Sequence, residues 1–447
     1  MRSFASRRTF LQGTVALALA PAGAALAARA VASEHAALLA KAIPERASEA
    51  IPDEAFWNSV RQEFTFPETT LPMNAGNLCP AFREIAEEVC RLTAQLDLDV
   101  SFEARKVFQS RLEGSRQAVA KHLGVRDPQD IALVRNASEA NCVVNVGLMG
   151  LGPGKRVLLW EENHPTNREA WRIRARRLGF AIDWVTDLRQ LRSEEALVEK
   201  FRAKLTPDTL VLTFSEISNI SGLKLPAKAL CTMAHAQAEA WGTEILVHVD
   251  GAQSWGALNL NLTEMGCDSF AGSAHKWFMG PREVGLLFVK KKWAKHIVPI
   301  ICGYDGHLRV DEQLKESALR FETLGQRDDA AIAPMADTVR LHHWIGPQRI
   351  AERISSLAER LKAGLREKVE FVTPTEPGLS HGIVVIKLAS EAQAAAAAHR
   401  LYERFGIAGA PIHDHRTGIF GLRLCPHVYN LEAHVDQAIQ AVLLSIA

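Results

Sequence analysis

From about residue 130 the chain alternates between short runs rich in β-branched and aliphatic residues and longer stretches with apolar positions three and four apart. The first kind predicts strands at 131–136, 156–160, 181–185, 209–216, 245–251 and 285–290. The second predicts helices such as 166–178 and 227–241, the latter opened by Pro226 and closed by Gly242. Strands and helices in strict alternation imply an α/β fold, a mostly parallel sheet covered on both faces. Beyond about residue 315 the pattern lengthens into helical stretches at roughly 330–368, 391–405 and 431–446, with a strand at 383–388. That change marks a smaller α+β domain, 316–447, after a large domain spanning 76–315. Residues 31–75 read as an arm broken by Pro44, Pro52, Pro67 and Pro72.

The first 30 residues carry a different signal. Ser6-Arg-Arg-Thr-Phe-Leu-Gln12 matches the twin-arginine export motif, followed by a weakly apolar run and an A-x-A-like site at Ala25–Ala27. The run is too short and too rich in Ala and Gly for a stable membrane span. The expectation is a removed signal peptide, a folded passenger for the twin-arginine translocation machinery and a periplasmic or extracytoplasmic destination.

Composition narrows the classes further. The 447 residues carry a net charge of +1 with no basic, aromatic-interleaved patch, which argues against nucleic acid as a partner. Seven scattered cysteines without a CxxC pair make neither a zinc site nor a disulfide framework, so no metal is expected. Gly147–Arg156 imitates a phosphate loop, but Met149 stands where glycine is required and Arg156 where Ser or Thr is. It reads as a turn into the next strand. No GxGxxG opens a helix, and no G-x-S-x-G elbow supports a hydrolase.

In parallel α/β sheets ligands bind beyond the carboxyl ends of the strands. Here those ends carry polar clusters: Asn136–Glu139, Asn163-His164, Ser218-Asn219, Asp250–Gln253 and Ser273–Lys276. Asp250 and Lys276 lie 26 residues apart, room for one crossover and one strand. An amine and a carboxylate on one rim suit pyridoxal 5′-phosphate (PLP), which needs an amine for its aldehyde and an anion against its pyridine nitrogen. Lys276 supplies the first and Asp250 the second. Ser138, Ser273 and His275 suit the phosphate. His164 suits the ring face, Gln253 and Asn219 the phenolic oxygen, and Arg423 a substrate carboxylate.

With Asn74-Ala-Gly76, Arg135–Glu139, Asn163–Asn167, Ser218–Gly222, Asp250–Gln253, Ser273–Lys276, Gly280-Pro281 and Arg423–Asn430 in this order, the chain resembles the class V aminotransferases of PLP fold type I. That family includes cysteine desulfurases and isopenicillin N epimerase-like proteins. The resemblance implies that Lys276 is the Schiff-base lysine, Asp250 the pyridinium partner, His164 the stacking ring and Arg423 the carboxylate clamp, with Asn74 beside the substrate. It adds Ala137 to the cofactor-binding residues and implies a homodimer whose partner subunit donates a phosphate contact. Gln326 stands where that contact is commonly Thr, and Glu216 where many desulfurases carry His.

Desulfuration needs a cysteine on the loop before the C-terminal arginine. Residues 406–418 hold none and offer His413-Asp-His-Arg416 instead, a metal site, an acid/base cluster, an active-site loop or a solvated turn. Transamination, epimerisation, elimination and decarboxylation at Cα of an amino acid or peptide remain open. An exported enzyme of this type is similar to periplasmic PLP enzymes that tailor pyoverdine siderophores. The competing readings are a catalytically silent PLP-fold binding protein and a cysteine lyase or desulfurase-like enzyme.

Overall fold

The computed structural model describes residues 53–301, 303 and 316–446; the export motif lies outside them. The large sheet has seven strands: β1 (Ile131–Val134), β2 (Arg156–Trp160), β3 (Ala181–Val185), β4 (Thr209–Ser215), β5 (Leu246–Asp250), β6 (Ser269–Ser273) and β7 (Gly285–Val289). Their order is β1-β7-β6-β5-β4-β2-β3, parallel except for β7, which runs against both neighbours. Every residue of β1, β5, β6 and β7 is buried, as expected of strands covered on both faces. The covering helices include α1 (Ala137–Gly147), α2 (Pro165–Leu178) and α3 (Ala227–Trp241). Pro226 does sit at the N-cap of α3, and Gly242 closes it at φ +66°.

The second sheet has three antiparallel strands, β8 (Val384–Lys387), β9 (Ala410–Asp414) and β10 (Ile419–Leu424), ordered β9-β10-β8. Helices Pro347–Leu365, Glu391–Phe405 and Glu432–Ile446 pack a separate apolar cluster against it.

Two expectations need correction. The helical stretch at 330–368 is not continuous. Gly346 adopts φ +98° and Pro347 starts a new helix, so Met335–Ile345 and Pro347–Leu365 are separate. The 406–418 segment is not a loop. It forms most of a β-hairpin in which Asp414 pairs with Ile419.

Candidate functional site

Asp250 ends β5, where it is buried. Its Oδ2 accepts from Asn167 Nδ2 at 2.8 Å and its Oδ1 from the Ala252 N–H at 3.0 Å. Asn167 Oδ1 in turn accepts from Asn145 Nδ2 at 2.8 Å. These neutral donors hold the buried carboxylate in one orientation.

Lys276 follows β6 on the adjacent strand end. Burial pushes its ammonium down to about 8, against the opposing pull of Asp250; Arg423 pushes the same way as burial, and Cys425 acts with Asp250. His164 caps α2, its Nδ1 taking the Thr166 N–H at 3.3 Å and facing the Thr166 hydroxyl at 2.8 Å. With Nδ1 as acceptor, Nε2 carries the proton. Burial is the main cause holding this imidazole below its usual range, opposed by Asp250 and aided by Lys276, Arg168 and Arg423. A neutral ring there can lie flat against an aromatic cofactor without adding charge.

Arg423 arrives from β10 of the other sheet. Its Nη1 donates to the Asn219 carbonyl at 2.9 Å and its Nη2 to Asn74 Oδ1 at 3.1 Å. Its buried Nε has no partner among the described residues. The Ser218–Gly222 turn that presents Asn219 is held by the buried Glu162, which accepts from Ser218 Oγ at 2.6 Å and from Ser221 Oγ. Gly222 closes the turn at φ +78°, where a Cβ would lie 2.6 Å from the Ile383 carbonyl.

A cavity of about 430 Å³ is lined by Asn74, His164, Asn219, Gln253, Lys276 and Arg423, together with Asn77 and residues 409–414. Gln253 is committed within the chain: Nε2 donates to the Gly76 carbonyl at 2.9 Å and Oε1 accepts from Trp277 Nε1 at 2.8 Å. Beside the cavity, Ala137 and Ser138 open α1. The Ala137 N–H donates to Ser273 Oγ at 2.8 Å, and Ser138 is exposed. His275 stands next to Lys276, its imidazole pushed down to about 4, chiefly by burial. Gln326 is elsewhere, exposed in a second cavity with Arg135, Glu139 and Glu283.

Sequence reasoning quoted Asn167 without giving it a role, and passed over Glu162 and Arg168. Asn167 sits three residues past His164 in the first turn of α2, a spacing that places both near one rim. Among the described residues no His/Cys/Asp/Glu group could hold a metal. Cys425, two residues past Arg423, is buried and its thiol is pushed up by burial.

Residues 98–436 match the profile of the class V aminotransferases, and the chain belongs to that family. It is a PLP-dependent enzyme. The chain is 30% identical over 400 residues to isopenicillin N epimerase of Amycolatopsis lactamdurans, covering 86% of this chain and 98% of that one. The Streptomyces clavuligerus isopenicillin N epimerase is 28% identical over 401 residues, 87% of this chain and 98% of the other. Among solved structures, a C-DES mutant with glycine covalently linked to the PLP cofactor aligns with TM-score 0.76 at 22% identity, over 88% of this chain and 99% of that one. The Escherichia coli cysteine desulfurase CsdA aligns with TM-score 0.74 at 19% identity, over 89% and 99%.

The residues fit PLP. Lys276 offers an amine that is neutral far more often than an ordinary lysine's, Asp250 a fixed anion, and the start of α1 an exposed hydroxyl at the positive end of a helix. When bound, PLP supplies the electron sink that lets a bond at Cα break.

Proposed function

We propose that this enzyme moves a proton at the Cα of an amino-acid unit whose amine and carboxylate are both free, and that the outcome is epimerisation. The observation that carries it is Arg423: a buried guanidinium with an unpartnered Nε, in the same cavity as Lys276. A free amine is needed to engage the cofactor, and a free carboxylate to occupy Arg423. Any larger substrate must therefore extend from its side chain. Residues 409–414 line the same cavity and are the ones such an extension would pass.

Within this reading Arg423 fixes the carboxylate, and Lys276 takes the Cα proton and returns one. Its lowered basicity keeps a usable neutral fraction near neutral pH. The two epimerase relatives favour this outcome over the other Cα reactions. Desulfuration is disfavoured because the β9–β10 turn carries no cysteine and Cys425 is a buried, weakly acidic thiol. The same proposal places the enzyme outside the cytoplasm, on the strength of Ser6–Gln12.

The test is incubation of purified holoenzyme with a series of L-amino acids and side-chain-linked peptides in D₂O. Appearance of the D-form carrying Cα deuterium supports the proposal. Alanine and persulfide formed from L-cysteine, with no Cα exchange on any other substrate, would overturn it.

A further inference from the structure

The His413–Arg416 cluster finds its place in the hairpin, and its four side chains reach three different elements. Asp414 forms a buried ion pair with Arg168 of α2; each side chain is 6% exposed. Arg168 Nη1 lies 3.2 Å from Asp414 Oδ2, Nη2 engages Oδ1, and Nη1 also donates to the Glu161 carbonyl at 2.6 Å. Thr417 completes the carboxylate's shell, donating to Oδ2 from its hydroxyl at 2.7 Å and its N–H at 3.1 Å. Arg416 lies over the Trp184 ring on edge strand β3, 3.6 Å from its centroid. His415 faces Glu391 at 3.3 Å, at the start of helix Glu391–Phe405. His413 forms part of the cavity wall.

The hairpin belongs to the three-stranded sheet, yet Asp414 and Arg416 fasten its tip to elements of the seven-stranded one. Arg168 lies one turn beyond His164 on α2, so it shares a face with the ring beside Lys276. The separation of the His413 wall from α2 is therefore set by a paired charge that neither side can release without leaving a buried ion. We propose that the Arg168–Asp414 pair is a specificity latch, fixing the hairpin wall at the spacing from α2 that admits an extended side chain. This rests on the reading that substrates extend from their side chains. In that reading a short amino acid held by Arg423 and Lys276 is indifferent to the position of His413, and a long one is not.

The test compares L-alanine, L-glutamine and γ-L-glutamylglycine on holoenzyme, with dissociation constants taken from the change in the cofactor's visible spectrum. Asp414→Asn weakens γ-L-glutamylglycine at least tenfold relative to L-alanine. Thr417→Val, which keeps both charges, shifts the same ratio in the same direction by less. Equal loss for all three ligands would mean that the pair only supports the catalytic rim, and overturns the latch. Hydrogen exchange on cofactor-free protein gives a second readout, independent of any substrate. Asp414→Asn speeds exchange over residues 409–418 severalfold and leaves 246–250 unchanged; no change over 409–418 also overturns it. If the wild-type enzyme shows no preference for the longer ligands while exchange responds as expected, the substrate reading has failed and the hairpin anchor stands without a specificity role.

Discussion

The amine of Lys276 should titrate far below an ordinary lysine in the cofactor-free protein. Burial takes it from 10.5 to about 8. At pH 8 about half of the molecules then carry a neutral amine, against about 0.3% for an ordinary lysine, a roughly 150-fold gain in nucleophile. Competitive labelling with acetic anhydride across pH, read by mass spectrometry of the peptide containing Lys276, measures this directly. Two substitutions separate the neighbouring charges. Arg423→Gln removes a cation that lowers the value, so the midpoint moves up. Asp250→Asn removes an anion that raises it, so the midpoint moves down.

The same shift has a stability consequence with a definite sign. Unfolded, Lys276 holds its proton up to about 10.5; folded, it gives it up near 8. Between those values the unfolded state binds more protons, so this residue makes cofactor-free protein more stable as pH rises through that window. Lys276→Met removes that slope from a series of melts. A wild-type midpoint at or above pH 10 in folded protein, or shifts of one sign in both charge variants, refutes the argument.

Asn167→Leu removes the donor to Asp250 and strands Asn145. Loss of a hydrogen bond to a buried charge costs about 1.5–3 kcal/mol, so cofactor titration should show PLP held roughly 10- to 100-fold more weakly; a change under twofold contradicts this. Glu322 accepts from Arg116, Arg327 and the Leu133 N–H in a buried network, so Glu322→Gln leaves Arg116 with the half-exposed Glu113 as its one remaining carboxylate among the described residues and should lower urea-measured stability by about 1–3 kcal/mol. Arg116 leads the groups that hold Glu322 below the ordinary carboxylate range in spite of burial, which acts the other way and is the largest influence. Its contribution is therefore complete above 4.5 and lost as pH falls through the folded value. Replacing Arg7 and Arg8 by lysine should leave folded, cofactor-loaded enzyme in the cytoplasmic fraction; undiminished export contradicts the twin-arginine reading.

The rim was legible because strands covered on both faces are apolar throughout, so polar residues mark where they stop. Asp250, Asn163 and Asn219 announce themselves this way. Strand β6 did not, although the spacing from Asp250 to Lys276 left room for one. Its sequence, Ser-Phe-Ala-Gly-Ser, lacks the β-branched run that signals a strand, and Gly272 is forced by packing: a Cβ there would lie 2.6 Å from the Trp255 ring. The β9–β10 hairpin was hidden by Pro411 inside a strand and by charges that read as solvated. Asp414 is buried only because Arg168 meets it from 246 residues away. The Asn167–Asp250 bond spans 83 residues. Local pattern carries no trace of such pairings, whereas the Gly346-Pro347 break was written in the chain and missed.

In the proposed function, chemistry and recognition come from different sheets. Lys276 and Asp250 stand on adjacent parallel strands, so their relation is fixed by the β5–β6 ladder. Arg423 stands on β10, and its relation to Lys276 depends on side chains that bridge the sheets. Trp277 donates to Gln253, which holds the Gly76 carbonyl, while His427 faces the Trp277 carbonyl at 3.0 Å and stacks between Trp277 and Tyr429. A Cβ on Gly76 would come within 3.1 Å of Cys425 Sγ and 3.2 Å of Gln253 Oε1, tighter than ordinary contact, so both neighbours would have to give. Substitutions in the seven-stranded sheet should therefore change whether the cofactor is held, and those on β9 and β10 which molecule reaches it. Gly76→Ala sits at the junction. It crowds Cys425, two residues past Arg423, and Gln253, so it should raise KM for carboxylate-bearing substrates while cofactor affinity stays within about twofold. Equal loss of both would mean that the two sheets do not divide the work.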